Sequence, residues 1–432
     1  MGTILVRRAL ALMFAVACAA AHAQQSSDRH QWTFELDTSY LSSSSGFDSW
    51  TNGGLSKLRH AGSDDGLNAA RLFGEYRGRI SSAWWTKVVV DYVNDASSGL
   101  DVTEAYIDWQ PTSRNQHQVK LGAFYPPLSL ENGDRGWNSP YTYSYSAINT
   151  WLGEEVRPMG AEWSMRRHIG FPSSPHELGA FAAAFYGNDP AGTLLFWRGW
   201  SLHDRQSRLN DRLPMPPMPR RTPSGTIIGT MEQSLEPFDE IDHRPGVYGG
   251  LEWRYARRVL LQVAHYDNRA DPNAFSDGQW AWGTSFSQVA AQVSLPAELG
   301  LIAQWLSGET YWIAPAQPDG TVPPFGALVE DLFEAKFLML TRLVRNAHRF
   351  SLRYDDFEFV REHTPGALAD VGHAWTFAYR YQRSARLSGG LEWLRVESRR
   401  DLWSDLYGAD RWATERQVRL QLSVKLGVPR GR

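Results

Sequence analysis

The chain reads as an all-β transmembrane barrel of about 16 antiparallel strands, and three observations carry that expectation. Apolar residues recur at every second position along most of the sequence, the period of a strand with one apolar face. Runs such as 70–80, 371–382 and 417–426 outlast the roughly five or six residues of soluble strands and reach the roughly 9–11 needed to cross lipid. Long and short connections alternate around the whole chain, as they do where tight turns close one end of a barrel and long loops the other.

Composition sets the outer bounds. Of 432 residues, 42% are hydrophobic, 13% aromatic and 21% charged, with a mean hydropathy of −0.42. So many aromatics exclude a disordered chain, and the absence of repeated apolar runs excludes a bundle of membrane helices. Nineteen Trp and 17 Tyr suit a surface that meets lipid at its two polar margins.

The N-terminus comes first. Arg7 and Arg8 precede the apolar stretch 9–20, and Ala21-His22-Ala23 supplies the small residues of a signal-peptidase site. Residues 1–23 are therefore expected to be a secretory signal cleaved after Ala23. Cys18, the single cysteine, falls within it, so the mature chain is expected to have no disulfide and no thiolate chemistry. The net charge is −3, and removing Arg7 and Arg8 takes it to −5, which is no footprint for nucleic acid.

The strands follow in order, near 31–41, 68–80, 83–92, 101–110, 116–124, 158–167, 177–187, 246–256, 258–267, 280–294, 299–309, 331–343, 347–357, 371–382, 385–397 and 415–427. The tenth could be two pieces. Trp32, Phe34 and Leu36 alternate with Thr33, Glu35 and Asp37. Leu72, Tyr76 and Ile80 oppose Arg71, Glu75, Arg77 and Arg79, with Phe73 as an exception to the alternation. At the other end Val418, Leu420, Leu422 and Val424 oppose Arg419, Gln421, Ser423 and Lys425. The polar faces carry full charges, whereas the apolar faces often end in Trp or Tyr. A soluble sandwich has no reason to combine these features with alternating loop lengths, and lipid demands that the sheet close. No linker or composition shift divides 24–432, which is read as one barrel domain. The longest connection, 188–245, holds Pro214, Pro216, Pro217, Pro219 and Pro223 and is expected to be an external loop.

Residues 116–163 add a resemblance. Leu121-Gly122-Ala123-Phe124-Tyr125-Pro126-Pro127-Leu128-Ser129-Leu130-Glu131-Asn132 and Leu152-Gly153-Glu154-Glu155-Val156-Arg157-Pro158-Met159-Gly160 resemble the phosphate-selective porin O and P family, as do the stretches 301–308 and 350–357. The resemblance implies a 16-stranded homotrimeric outer-membrane channel whose third external loop folds into the lumen. Here that loop is 125–157. Two features depart from the family. Lys57, Lys87, Lys120, Lys336 and Lys425 are the only lysines against 39 arginines, which leaves little material for a lysine cluster. Val428-Pro429-Arg430-Gly431-Arg432 also replaces the terminal aromatic common in such barrels.

The candidate constriction is Glu131, Asp134, Arg135, Glu154, Glu155 and Arg157, charges that an inward fold would bring into the pore. The candidate lining is Arg71, Arg77, Arg79, Lys87, Lys120, Arg166, Arg254, Arg353, Arg380, Arg386 and Arg419. Glu75, Glu104, Asp108, Glu162, Glu252, Asp355 and Glu392 interleave with them, so the lining sets up a transverse field rather than a one-sign funnel and argues against phosphate specificity. A plainer role for these arginines is pairing with the carboxylates to hold the barrel together.

No nucleophile elbow, phosphate-binding glycine loop or metal-ligand spacing is present, so neither an enzyme nor a cofactor is expected. The function expected is passive diffusion of small hydrophilic solutes, favouring anions. A substrate-specific channel for an organic solute is the alternative. A surface-structure barrel and a lipid hydrolase stand behind it. The expected partners are outer-membrane lipid, small anionic or polar solutes and two further copies of the chain.

Overall fold

In the computed structural model, described residues span 29–427, apart from 62–63, 94, 96–98, 113–114, 217–233, 314–327, 362–368 and positions between 402 and 409. The expected signal with Cys18, the prolines Pro217, Pro219 and Pro223, and residues 428–432 lie outside them.

Sixteen antiparallel strands form one closed barrel, each paired with its sequence neighbour. They are β1 (His30–Ser44), β2 (Gly66–Arg79), β3 (Trp84–Val93), β4 (Gly99–Trp109), β5 (Gln118–Ala123), β6 (Met159–His168), β7 (His176–Tyr186) and β8 (Gly246–Tyr255). The second half contains β9 (Val259–Asp267), β10 (Gly283–Leu295), β11 (Leu299–Ile313), β12 (Leu328–Val344), β13 (His348–Arg361), β14 (Ala369–Ser384), β15 (Leu387–Arg400) and β16 (Trp412–Leu426). Closure comes from β1 against β16, in register from Phe34↔Leu426 to Ser44↔Arg416. No edge is left unpaired, which is what lipid requires of a sheet. The expected tenth strand is indeed two pieces: β10 and a separate two-residue ladder at Gln279–Trp280.

Alternation places one face of each strand outside. Trp32, Leu121, Trp163, Leu251, Trp305, Leu352, Trp375 and Leu420 are among the exposed apolar residues there. An outward apolar band on a closed sheet suits lipid, because every backbone polar group is already paired. Phe73 does not break the alternation. It is buried, faces inward and packs under the Arg71 guanidinium.

One end is closed by short turns. Ala256–Arg257, Ala297–Glu298 and Arg345–Asn346 each place two successive residues at positive φ. Such paired left-handed residues match the twist of the flanking strands, and the turns adopt them without glycine. The long connections leave from the other end, and three of them turn into the barrel. The one after β1 buries Trp50, Lys57 and Leu58; 124–158 carries helix α1 (Ala147–Glu154); the one beginning at 187 carries helix α2 (Thr193–Trp197).

Candidate functional site: the barrel lumen

Loop 124–158 is pinned to the inner wall by side chains from strands far away in sequence. Gln262, Gln288 and Gln304 are diagonal neighbours on β9, β10 and β11, with Gln304 donating to Gln288 at 2.8 Å and Gln288 to Gln262 at 3.1 Å. Gln262 donates to the carbonyl of Pro127 at 2.9 Å, and Gln288 and Gln304 donate to that of Leu128 at 2.5 and 2.8 Å. These glutamines satisfy carbonyls that no sheet or helix would otherwise pair. Across the lumen, Glu392 accepts from the backbone N–H groups of Tyr143 and Ser144 at 2.5 and 2.9 Å.

Glu131 and Arg353 form the hub. Glu131 accepts from Arg353 at 2.5 Å, from the Ser146 N–H at 2.9 Å and from Asn149 at 2.9 Å. Arg353 also pairs with Asp355 at 2.7 Å and donates to the carbonyls of Ser144 and Tyr145 at 2.8 and 2.9 Å. Ser146 caps α1 by accepting from the Asn149 N–H at 3.2 Å, so the hub also fixes where the helix starts. Trp151 of α1 packs edge-on against Phe286 and Phe333 of the wall.

The segment from 187 to 213 fills what remains of the long-loop end. The sequence places 188–245 outside as an external loop; the structure instead buries its first part inside the barrel. Leu194, Leu195, Trp197, Trp200 and Leu202 are each at most 1% exposed. Its charges are paired with the wall and with the connections after β1, β3 and β5. Asp204 meets Arg59 at 3.0 Å and Arg419 at 2.8 Å, while Arg205 meets Asp95 and Asp211 at 2.7 Å each. Burial drives the Asp204 carboxyl up, but Arg419 and Arg59 outweigh it and hold the group well below the usual carboxylate range. Arg198 pairs with Glu154, and His203 sits 3.2 Å from the same carboxylate. Burial opposes that charge too, yet Arg198 and His203 bring Glu154 down to about 2. Around the barrel at this end, inward side chains such as Leu41, Asp91, Tyr266, Thr310, Asp331 and Glu415 are at most 1% exposed.

The short-turn end differs. A cavity of about 790 Å³ is lined by Arg166, His168, Glu177, Arg254, Arg257, Arg258, Gln116, Gln292 and Ser294. A second of about 530 Å³ shares Gln116 and Arg166 with it and reaches Lys120, Glu162 and Glu252 beneath Pro127. Arg254 pairs with Glu252 at 3.0 Å and Arg166 with the same carboxylate at 3.5 Å. Arg257 and Arg258 come from the turn between β8 and β9, and sequence reasoning missed both. The turn position, rather than strand alternation, brings them to the vestibule, and only its closed register would have found them.

The predicted residues divide between the two ends. Glu131, Glu154, Glu155 and Arg157 are fully buried and face no solute path. Glu155 accepts from the Trp151 indole at 2.6 Å and the Leu194 N–H at 2.8 Å, tying α1 to α2. Arg157 lies 3.5 Å over the Tyr125 ring and donates to the carbonyl of Thr103. Only Asp134 and Arg135 of the six reach solvent, at the tip turned toward the short-turn end. Among the lining candidates, Arg71, Arg353 and Arg419 are buried in ion pairs with Asp91, Glu131 and Asp204. Arg77–Glu75, Lys87–Glu104 and Lys120–Glu162, at 2.8, 2.6 and 2.8 Å, stay partly open to the lumen. Arg380 donates to the carbonyl of Ser139 at 2.6 Å and so also braces the loop. Arg386 is not on a strand as expected but in the β14–β15 turn, and Arg79 ends its strand exposed, donating to the carbonyl of Ser81.

The sequence offered no metal-ligand spacing, but folding groups carboxylate oxygens of Asp189, Glu240 and Asp242 within 4.8 Å of one another, a set able to hold a hard cation. Burial, with repulsion from Asp242 and Glu240, pushes Asp189 up to about 6.

No protein-family model matches the chain, and no curated protein matches its sequence. Solved structures do match its fold. The outer-membrane channel DcaP of Acinetobacter baumannii aligns over 92% of this chain and 96% of its own, with 12% identity and a TM-score of 0.51. Salmonella typhi OmpF, solved as a complex with daunomycin, aligns over 92% and 97%, with 9% identity and a TM-score of 0.51. The outer-membrane OmpT of Vibrio cholerae aligns over 92% and 98%, with 8% identity and a TM-score of 0.50. At these identities the likeness is one of fold: the chain shares its closed antiparallel barrel with these outer-membrane proteins.

Proposed function

We propose that the chain is an outer-membrane porin, a non-catalytic passive channel for small hydrophilic solutes, with anions favoured. The observation that carries this reading is the closed 16-stranded barrel with an apolar exterior and a charged interior. The charges at its short-turn end stay partly open to water, as a solute path requires, whereas those buried in pairs at the other end hold the structure together. The anion preference rests on the vestibule. Four arginines (Arg166, Arg254, Arg257 and Arg258) line the larger cavity against one carboxylate, Glu177. A low-dielectric wall focuses such an imbalance on whatever enters. Residues 1–23 act as the export signal, and three copies assemble, as the resemblance of 116–163 implies. Specific phosphate recognition is not part of the reading, because Glu252 and Glu162 stand among the cations. A channel for a larger organic solute is the second reading, favoured by the size of the vestibule and by its hydrogen-bonding Gln116 and Gln292.

The test is reconstitution of the mature protein in a planar bilayer under a KCl gradient. Stepwise conductance with an anion-favouring reversal potential is expected. A cation-favouring potential would overturn the role given to the arginines. Complete absence of conductance from folded protein, under conditions that release the inner segments, would overturn the channel.

A further inference from the structure

A solute crossing the barrel needs a continuous wet path, and a close-packed interior offers none. The long-loop end is packed in that way. Trp200 contacts Phe333 of the wall and Trp151 of α1, and its indole N–H donates to the carbonyl of Glu358 at 2.9 Å. We propose that segment 187–213 is a displaceable plug, that the structure is the closed state of the channel, and that Asp370 is the latch holding the plug to the wall. This rests on the channel reading above.

Three observations support movement of this segment rather than of the wall. All sixteen strands pair with one another and none pairs with 187–213, so withdrawing the segment breaks no barrel ladder. Its departure point is built for close contact and bending. Gly187 and Gly192 have φ of +65° and +105°, and a Cβ on Gly192 would meet Thr310 Oγ1 at 2.2 Å. The third observation is chemical. Besides its buried apolar side chains, the segment is held by ion pairs and hydrogen bonds whose groups regain water on release, which offsets part of the cost of withdrawing it.

The latch is the densest of those contacts. Asp370, inward on β14, accepts from Lys57 Nζ at 2.9 Å, Arg400 Nε at 3.0 Å and the Trp200 N–H at 2.9 Å. Lys57 and Arg400 in turn donate to the Trp200 carbonyl at 2.8 and 2.9 Å. One carboxylate from the wall therefore fixes both the plug backbone and two cations that grip it. Near the far end of the segment, Asn210 holds Asp101 at 3.1 Å from an exposed position.

The test uses the full mature chain in planar bilayers. Asp370→Asn should raise the open time about tenfold, since it removes a carboxylate gripped by three donors. Adding the pair Asn210→Cys and Asp101→Cys should cancel that rise when oxidised and restore it under a thiol reductant. If Asp370→Asn does not refold, as judged by heat-modifiable gel migration, Trp200→Ala takes its place with the same expectation. Wide, steady conductance of the unaltered protein, unchanged by the oxidised cysteine pair, would overturn the plug while leaving the channel intact. No conductance from any folded variant, with the cysteines reduced, would instead overturn the channel reading on which the plug depends.

Discussion

The two ends of the lumen use the same residue types to opposite effect. At the short-turn end, Arg254, Arg166 and Arg77 are 33%, 47% and 53% exposed and paired with one or two carboxylates each. At the long-loop end, Arg353, Arg205 and Arg198 are at most 2% exposed and each engages several partners. Exposed pairs of the first kind contribute little to stability and leave the guanidinium free to meet a solute. Buried pairs of the second kind lose hydration and must be satisfied completely, so they act as fasteners. An arginine count alone therefore says nothing about selectivity; the water around each arginine decides its role.

The largest effect that would break this contrast comes from the fasteners. Arg353→Met leaves Glu131 and Asp355 buried without their cation, and a loss of about 3–5 kcal/mol in stability follows. Denaturant-induced loss of heat-modifiable migration measures it, and an unchanged midpoint would return Arg353 to the role of a pore charge. Next come the vestibule cations. Arg257→Glu together with Arg258→Glu should leave folding unchanged and lower the anion-to-cation permeability ratio by roughly two- to fivefold. The reversal potential reads that ratio directly.

A smaller effect follows from pH. Burial raises the Glu155 carboxyl to about 7, well above its unfolded value near 4.5. The folded form thus binds more protons than the unfolded one between those values, and stability falls as pH rises through that window. Asp189, at about 6, acts in the same direction from the start of the plug segment. Protease cleavage within 187–213 should accordingly be faster at pH 8 than at pH 5, and Glu155→Gln should weaken that difference. The smallest effect belongs to the connections outside the strands. Arg244→Ala removes a pair to Asp271 at 2.7 Å in which both side chains are partly exposed, and its cost is about 0–1 kcal/mol.

The strands were legible in the sequence because alternation is a local property, and the inward and outward faces follow from it directly. Trp32, Ile107 and Leu420 fall outside and Glu75, Glu104 and Arg419 inside, as the alternation predicts. The paths of the long connections were not legible. They have no period, and what fixes them is long-range: Gln262, Gln288 and Gln304 become a ladder only once three strands are in register. The length and prolines of 188–245 suggested an outside loop. The apolar run Leu194–Trp197 was the one local signal against that, since an external loop has no reason to carry it. Buried charge misled in the other direction. Glu131, Glu154, Glu155 and Arg157 look like pore charges in sequence, and only burial distinguishes a fastener from a lining residue.

The account turns on one lumen being open at the short-turn end and sealed at the other, and two positions on β10 test it within a single strand. The expected mature chain has no cysteine, so Ser294→Cys and Thr284→Cys can each be labelled alone with a hydrophilic maleimide on folded protein. Ser294 lines the vestibule and Thr284 is 1% exposed beside Ala191 of the plug segment. Fast labelling at 294 with strong protection at 284 is the predicted result. Equal, fast labelling at both would contradict the sealed end and the plug that forms it.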